Sequence, residues 1–284
     1  MPPRAKPTAR QARLGAELRK MREAAGATAR EAGDLLGASQ TQVSHIEAGR
    51  FGVSEERLRR LAAFYECADA DLIDALVTMA NEWREKGWWE EYRGVMVPRA
   101  LDLAELEHHA SFLRTLQLLH IPGLFQTEDH VRAAFSYANP NLPAGELDAW
   151  IAHRMRRREA IERDSAPPFE AVIHEAALRI KVGGAKVARA QLEHILTMAE
   201  LPHVTVRVIP FDVEDFGGAG YSMLYVGGPV PQLDTVQLDT AHGGLLLDAE
   251  SQLKKYRTLF DRIEGSSLPT SASRDFIHRI AQSL

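Results

Sequence analysis

Apolar residues at the start of the chain recur with the spacing of a helix. Leu14, Leu18 and Met21 stand at positions i, i+4 and i+7, so they share one face of a helix that we expect to end at Gly26. Three more helices are predicted to follow. Each begins at a residue whose side-chain oxygen can cap the first backbone N–H groups of a helix: Thr28, Ser39 and Ser54. The N-terminal fifth of the chain is therefore predicted to be a small helical bundle.

The second and third of these helices are short and are separated by a tight turn. Glu31 and Gln42 stand three residues after the first two capping residues, which is the spacing of a capping box. Gly37 is expected to end the second helix and Gly49 the third, because glycine readily adopts the left-handed conformation that follows a helix. Two short capped helices joined in this way are typical of a helix-turn-helix arrangement.

The segment 28–50, TAREAGDLLGASQTQVSHIEAGR, resembles the XRE-type (Cro/repressor-like) helix-turn-helix of transcriptional regulators. The matching positions are small Gly33, the turn at Gly37, inward-facing Val43 and Ile46, and the closing residues Glu47, Gly49 and Arg50. The resemblance implies that the second helix of the motif lies in the major groove of DNA. The chain departs from the family at Ala29, where many members carry a glutamine that binds phosphate, and Arg30 is the expected replacement.

The resemblance assigns eight residues to a DNA interface. Four are expected to contact bases: Gln40, Thr41, Ser44 and His45. Four are expected to lie at phosphates: Thr28 and Ser39 at helix N-termini, and the side chains of Arg30 and Arg50. Glutamine can form two hydrogen bonds with adenine, and a threonine methyl group can touch the methyl group of thymine. Backbone N–H groups at a helix N-terminus and arginine side chains both bind phosphate.

A cluster of tryptophans follows the N-terminal helices. The helical pattern continues from Asp69 to Ala80, and the cluster then comprises Trp83, Trp88, Trp89 and Tyr92. Such aromatic residues are enriched where a protein binds a partner, and they also pack hinges between domains. We favour the hinge and interpret 81–98 as a connector between a helix-turn-helix domain at 1–80 and a regulatory or dimerisation domain at 99–284.

The last two-thirds of the chain mixes helix and strand patterns. Strands are predicted at 112–121, 169–174, 204–209, 221–226 and 233–238, with a further short apolar run at 245–247. Helices are predicted at 101–109, 127–137, 145–164, 185–200, 249–263 and 271–284. The strands at 221–226 and 233–238 flank a Gly/Pro turn and are expected to form a hairpin. The predicted fold class is α+β: an all-α helix-turn-helix domain followed by a mixed α+β domain with four or five strands.

This C-terminal region also resembles a known group of proteins. The segments that carry the likeness are IPGLFQTEDHVRAAF, RMRRREAIERD, HEAALR followed by GG, LEHILTMAELPHVTVRVIPF and TAHGGLLLDAESQLKKYRTLFDRI, with GWWEEY before them. They look like the poorly characterised domain attached to this helix-turn-helix in actinobacterial regulators that include WhiJ-like proteins. The resemblance implies a regulator associated with a small cognate partner protein, in an arrangement likened to a toxin–antitoxin pair. It implies no ligand and no catalytic site.

Charge is distributed unevenly along the chain. The segment 1–66 holds 12 basic and 8 acidic residues, a net charge of +4, whereas the remainder carries −9. A basic head on an acidic body indicates that the head meets an anionic polymer. Cys67 is the one cysteine, no stretch approaches the roughly 18 apolar residues of a membrane span, and no secretory signal is evident. We therefore expect a cytoplasmic protein that makes no membrane contact.

The sequence favours a binding protein over an enzyme. It contains no GxSxG nucleophile elbow and no CxxC pair, and the His174-Glu175 pair lacks the second histidine of a metalloprotease helix. We therefore expect no catalytic residue, no metal and no cofactor. Three acids, Asp234, Asp239 and Asp248, could bind a cation, but we interpret them as solvated loop residues.

One predicted helix carries a run of arginines: Arg154, Arg156, Arg157, Arg158 and Arg163. Such a run could hold an anionic ligand or nucleic acid. Three acids lie close by in the sequence and could balance the charge: Glu159, Glu162 and Asp164. We therefore favour a solvated helix face.

The leading hypothesis is a sequence-specific transcriptional regulator that binds double-stranded DNA as a homodimer. Its C-terminal domain would dimerise or sense an effector that the sequence does not identify. One alternative is an antitoxin-like protein that binds a small cognate partner and regulates its own gene. Another is a receptor for a small molecule, with a pocket between the C-terminal sheet and its helices.

Overall fold

The computed structural model describes residues 6–82, 87–214, 216–217, 220–240 and 243–284. These residues form two compact units. The first, here called the N-terminal unit, comprises 1–91 and 100–106. The second, the C-terminal unit, comprises 92–99 and 107–284.

The N-terminal unit is built from helices. Its first five are α1 (Ala9–Ala24), α2 (Ala29–Leu36), α3 (Gln40–Glu47), α4 (Glu55–Phe64) and α5 (Ala70–Asn81). The side chains that form its centre are almost fully buried: Leu14, Leu18, Leu58, Leu61 and Leu76. Leu14 and Leu18 lie on the face of α1 that the apolar spacing predicts, so the predicted helical bundle is confirmed.

The predicted helix starts are confirmed by hydrogen bonds at their caps. The hydroxyl oxygens of Thr28 and Ser39 each accept a bond of 3.2 Å from the backbone N–H three residues later. The Ser54 hydroxyl accepts the corresponding bond at 3.4 Å. Gly37 ends α2 with a φ of 61°, a backbone conformation that favours glycine.

A close contact between backbones fixes α3 against α1. A Cβ atom on Gly15 would lie 2.5 Å from the carbonyl oxygens of Ile46 and Glu47, so only glycine allows this approach. The Arg22 guanidinium donates two hydrogen bonds to the Glu47 carboxylate, at 2.6 and 3.0 Å, and ties the end of α1 to the end of α3. Helix α3, which is predicted to lie in the major groove, is therefore fixed against α1.

The C-terminal unit combines helices with one sheet. Its helices are α7 (Glu128–Ala138), α8 (Ala144–Arg156), α9 (Glu159–Glu162), α10 (Glu175–Arg179), α11 (Ala185–Met198), α12 (Glu250–Gly265) and α13 (Thr270–Gln282). Helix α6 (Pro98–His108) has residues in both units. The strands are β1 (Phe112–Gln117), β2 (Phe169–His174), β3 (Val204–Ile209), β4 (Met223–Gly227), β5 (Thr235–Thr240) and β6 (Gly243–Leu247). The fold is α+β, as predicted.

The six strands form a single mixed sheet in the order β3-β2-β1-β4-β5-β6. Strands β1, β2 and β3 are parallel, whereas β4, β5 and β6 pair antiparallel. The predicted hairpin is confirmed as β4 and β5. The short apolar run at 245–247 is also a strand, so the prediction of four or five strands was too low. Strand β1 ends at Gln117, earlier than predicted, because the next N–H, that of Leu118, bonds to the Ser222 hydroxyl instead of the sheet.

The single helix predicted at 145–164 is wrong, because the chain forms two helices there. Helix α8 ends at Arg156, and the N–H of Arg158 bonds three residues back to Met155 at 3.1 Å. The break coincides with Arg157, whose guanidinium forms a buried ion pair with Glu107 of α6. The helical pattern is therefore interrupted at a residue whose side chain makes a contact distant in sequence.

The interpretation of Asp234 as a solvated loop acid is wrong. It is 3 % exposed and accepts hydrogen bonds from the Tyr225 hydroxyl at 2.6 Å and from the Gly228 N–H at 2.9 Å. The Arg257 guanidinium lies 3.3 Å away on α12. This carboxylate therefore joins the β4–β5 hairpin to the helix that covers it.

Candidate nucleic-acid interface

Helix α3 presents an uncharged polar face to solvent. Gln40, Thr41 and Ser44 are exposed on it, whereas Val43 and Ile46 are buried on the opposite side. His45 differs from the other residues expected at bases, because it is partly buried and its ring meets that of Phe51 edge-on at 5.1 Å. Three of the four predicted base contacts are thus free to reach a base edge, and the fourth is held by an aromatic neighbour.

The two predicted phosphate sites at helix N-termini differ in charge. At α2, the Thr28 N–H donates to the Glu31 carboxylate at 2.8 Å, and these bonds from Thr28 lower the pKa of that carboxyl group. At α3, the Ser39 N–H donates to the neutral Gln42 side chain at 3.1 Å. The next amides of each helix have no intrahelical acceptor and can bind an anion. Because a carboxylate repels phosphate, the N-terminus of α3 is the better phosphate site.

Ion pairs divide the arginines of the N-terminal unit into two groups. Five are paired with carboxylates: Arg10 with Glu82 at 2.6 Å, Arg13 with Glu17 at 3.1 Å, Arg19 with Glu23 at 2.7 Å, Arg22 with Glu47 at 2.6 Å and Arg59 with Glu55 at 2.9 Å. Among the residues described in this unit, three exposed arginines have side chains with no carboxylate within 4.0 Å and no hydrogen bond: Arg30, Arg50 and Arg57. Two of these three were predicted as phosphate ligands.

Arg57 is a candidate phosphate ligand that sequence reasoning missed. It lies in the first turn of α4, and its backbone N–H is capped by Ser54. A signal for it is present in the sequence, because no acid stands three or four residues before or after it. Arg59, by contrast, has Glu55 four residues earlier and pairs with it.

The tryptophan cluster is only partly described by the structure, since Trp83 lies outside the described residues. A short 3-10 helix spans Trp88–Tyr92. Trp89 is 4 % exposed, and its ring meets the partly buried ring of Trp88 at 5.9 Å. In the C-terminal unit, Tyr92 meets His153 edge-on at 5.1 Å. Much of the surface of these side chains is therefore in contact with neighbouring groups.

Among the described residues, no group of three or more His, Cys, Asp or Glu side chains could hold a metal ion. None of the described helices is long and apolar enough to cross a membrane.

Comparison with protein families finds two domains. The model of a helix-turn-helix domain matches residues 13–76, which indicates DNA binding and a role in transcription regulation. The model of a domain of unknown function (DUF5753) matches residues 100–279, well over half of the chain. No curated protein and no solved structure matches the chain. The chain therefore belongs to the family defined by this domain of unknown function (DUF5753), here joined to an N-terminal helix-turn-helix domain.

Proposed function

We propose that this protein is a sequence-specific transcriptional regulator and not an enzyme. Helix α3 enters the major groove and presents Gln40, Thr41 and Ser44 to base edges. The observation that carries the proposal is that this uncharged, exposed helix face coexists with three arginines that have no carboxylate within 4.0 Å among the described residues of the N-terminal unit. Base edges are recognised by neutral donors and acceptors, and phosphates by cations, so the two sets divide the interface between them.

The phosphate contacts come from the N-terminus of α3 and from the unpaired arginines. Arg30 lies in the first turn of α2, Arg50 follows α3, and Arg57 lies in the first turn of α4. The Thr28 end of α2 contributes less, because the Glu31 carboxylate occupies it. His45 makes at most a secondary base contact, since its ring packs on Phe51.

Dimerisation follows from the size of the DNA-binding element. One helix-turn-helix buries too little surface for tight operator binding, and two related by a two-fold axis contact half-sites about 10 bp apart. We assign dimerisation and effector sensing to the C-terminal unit, which leaves the N-terminal unit to bind DNA.

A selection of bound fragments tests this function. The purified chain is mixed with fragments of its own genome at near-physiological salt, and the bound DNA is sequenced. Enrichment of one inverted repeat supports a dimeric, sequence-specific regulator, and uniform recovery of fragments contradicts it. On the selected site, Gln40→Ala should cost about 1–3 kcal/mol and relax the choice of base at one position. Equal losses of affinity on selected and random DNA would contradict the role of Gln40.

The antitoxin-like, WhiJ-like role is the alternative, in which the chain binds a small cognate protein and regulates its own gene. Its structural basis would be the partly exposed Trp88, since Trp89 is buried. Native co-purification of a small protein that is lost in Trp88→Ala but kept in Trp150→Ala would favour it. Recovery of the chain without such a partner would leave the DNA-binding proposal alone.

A further inference from the structure

Five arginines lie on α8 or soon after it, and four of them have partners within the C-terminal unit. The pairs are Arg156 with Glu159 at 3.4 Å, Arg157 with Glu107 at 2.6 Å, Arg158 with Glu162 at 2.5 Å, and Arg163 with the carbonyl oxygen of His108 at 2.8 Å. Arg154 is the exception. Within the described part of the chain, no carboxylate lies within 4.0 Å of its guanidinium group, which forms no hydrogen bond. The expected solvated face balanced by nearby acids is therefore wrong for Arg154 and for the buried Arg157.

The guanidinium groups of Arg154 and Arg157 meet above Gly123. Their Nη1 and Nη2 atoms lie 2.5 and 3.4 Å from the position that a Cβ atom on Gly123 would take. Gly123 begins a short 3-10 helix, Gly123–Phe125, and the missing side chain leaves the space that Arg154 fills. The two cations thus converge on one point of the C-terminal unit.

Two carboxylates attract the two guanidinium groups, Glu107 and Asp239, but neither forms an ion pair with Arg154. Glu107 accepts hydrogen bonds from Arg157 at 2.6 and 2.7 Å, so its negative charge is already matched. Asp239 attracts both guanidinium groups, but it is exposed and lies beyond ion-pair distance. Burial, together with the charge of Arg157, lowers the pKa of Arg154 to about 9, which still leaves it cationic at neutral pH. A partly buried cation without an anion in direct contact is unfavourable, and an added anion that contacts it would stabilise it.

Aromatic side chains border the same point. The Arg154 guanidinium lies 5.4 Å from the centre of the Phe135 ring, and Trp150, one turn earlier on α8, meets that ring edge-on at 5.7 Å. The Trp150 Nε1–H is buried and has no hydrogen-bond partner among the described residues. Gly123, Phe135, Trp150 and Arg154 are each partly exposed, so a small molecule can reach them from solvent.

We propose that Arg154 binds the anionic group of a small organic ligand, either a carboxylate or a phosphate, against an apolar wall formed by Phe135 and Trp150. The forked guanidinium group matches both anions in geometry. Arg157 adds a positive potential while Glu107 holds it in place. This site goes beyond DNA binding, and it stands or falls independently of it, because all of its residues lie in the C-terminal unit.

Thermal unfolding of the full chain at constant ionic strength tests the site. Sodium chloride is replaced by inorganic phosphate, phenyl phosphate or benzoate, so that the last two probes distinguish a phosphate from a carboxylate. At least one of these anions should raise the unfolding midpoint above that in chloride by more than it does in Arg154→Met, because a ligand that binds only the folded state stabilises it. The comparison with the variant is needed because inorganic phosphate also stabilises proteins through exclusion from their surface. If no anion raises the midpoint more than chloride does, the proposal is overturned.

Arg154→Met separates a ligand site from a structural contact. Without added anion, the variant should unfold about 2–4 °C higher than the original chain, because the unpaired cation is gone, and it should lose the response to the anions. The matched control is Arg132→Met on α7, an exposed arginine paired with Asp148 and Glu128, which should keep that response. A lower midpoint together with an undiminished response in Arg154→Met overturns the proposal.

Gly123→Ala provides a second variant that keeps every charge. The added Cβ displaces the flexible tip of Arg154 and leaves the backbone unstrained, so the chain should fold. The anion concentration needed for half of the midpoint shift should rise at least fivefold. An unchanged concentration would contradict the placement of the ligand at Arg154.

Discussion

The two units use arginine in the same way but at different depths. In the N-terminal unit, paired arginines such as Arg22 fix the helices, and the unpaired Arg30, Arg50 and Arg57 lie exposed on the surface. In the C-terminal unit, Arg157 is paired and buried, and the unpaired Arg154 is partly enclosed. An exposed unpaired cation suits a large polyanion such as DNA, whereas an enclosed one suits a small anion. Pairing, more than position in sequence, therefore separates structural arginines from candidate binding residues.

Breaking the buried pair of the C-terminal unit should give the largest effect. Glu107→Gln leaves the Arg157 cation buried without a countercharge, so the free energy of unfolding should fall by about 3–5 kcal/mol. Denaturant unfolding measures the change. The matched control is Glu162→Gln, which removes the more exposed partner of Arg158 and should cost under about 1 kcal/mol. Equal losses in the two variants would contradict a buried pair.

A pair of glycine substitutions tests the backbone contact of the N-terminal unit. Gly15→Ala forces a Cβ atom against the carbonyl oxygens of Ile46 and Glu47, and we expect a loss of about 2–3 kcal/mol in the unfolding free energy. Gly145→Ala on α8 adds a Cβ atom with nothing within 4 Å, and it should stabilise by about 0.5 kcal/mol. A neutral Gly15→Ala, measured by the same denaturant unfolding, would show that α1 and α3 are not held this closely.

The two units should depend on pH in opposite directions. Burial lowers the pKa of His130 to about 4 and, with Arg157 and Arg154 nearby, that of His153 to about 3. Below pH 6.5 the unfolded chain binds more protons at these histidines than the folded chain does. The free energy of unfolding therefore decreases as the pH is lowered from 6.5 towards 3. Burial also raises the pKa of Glu105 in the N-terminal unit to about 7. Its contribution is complete below pH 4.5 and is lost as pH rises through 7.

Unfolding free energies measured against pH check both signs. In His130→Gln, the change in unfolding free energy between pH 3 and 6.5 should be smaller by about 2 kcal/mol. In Glu105→Gln, the change between pH 4.5 and 7 should be smaller by a similar amount. A single common slope that neither variant alters would contradict the two environments.

The smallest predicted effect concerns the two helix N-termini of the DNA-binding motif. Glu31→Gln keeps the capping box of α2 but removes its negative charge, so DNA affinity should rise about two- to fivefold, or under about 1 kcal/mol. Glu193→Gln on α11 makes the same change of net charge on an exposed residue of the C-terminal unit and should leave affinity nearly unchanged. Equal gains in both variants would point to net charge alone.

The sequence predicted the N-terminal unit more completely than the C-terminal unit. Capping by Thr28 and Ser39 and the turn at Gly37 are local events within three or four residues, so the pattern alone places the helices. Arg57 was not predicted to be unpaired, although the absence of an acid three or four residues away from it indicates this. In the C-terminal unit the decisive contacts are remote: Glu107 and Arg157 lie 50 positions apart, and Arg157 stands at the break after α8. No local pattern reports such a pair.

The salt dependence of DNA binding can show whether unpaired arginines bind phosphate while paired arginines stabilise the fold. The affinity of the chain for its selected DNA site is measured over a range of salt concentrations for Arg57→Gln and for its near neighbour Arg59→Gln, whose arginine is paired with Glu55. We predict that the slope of log affinity against log salt decreases by about 1 in Arg57→Gln and stays the same in Arg59→Gln. Equal changes of slope in the two variants, or a change in Arg59→Gln alone, would contradict the account.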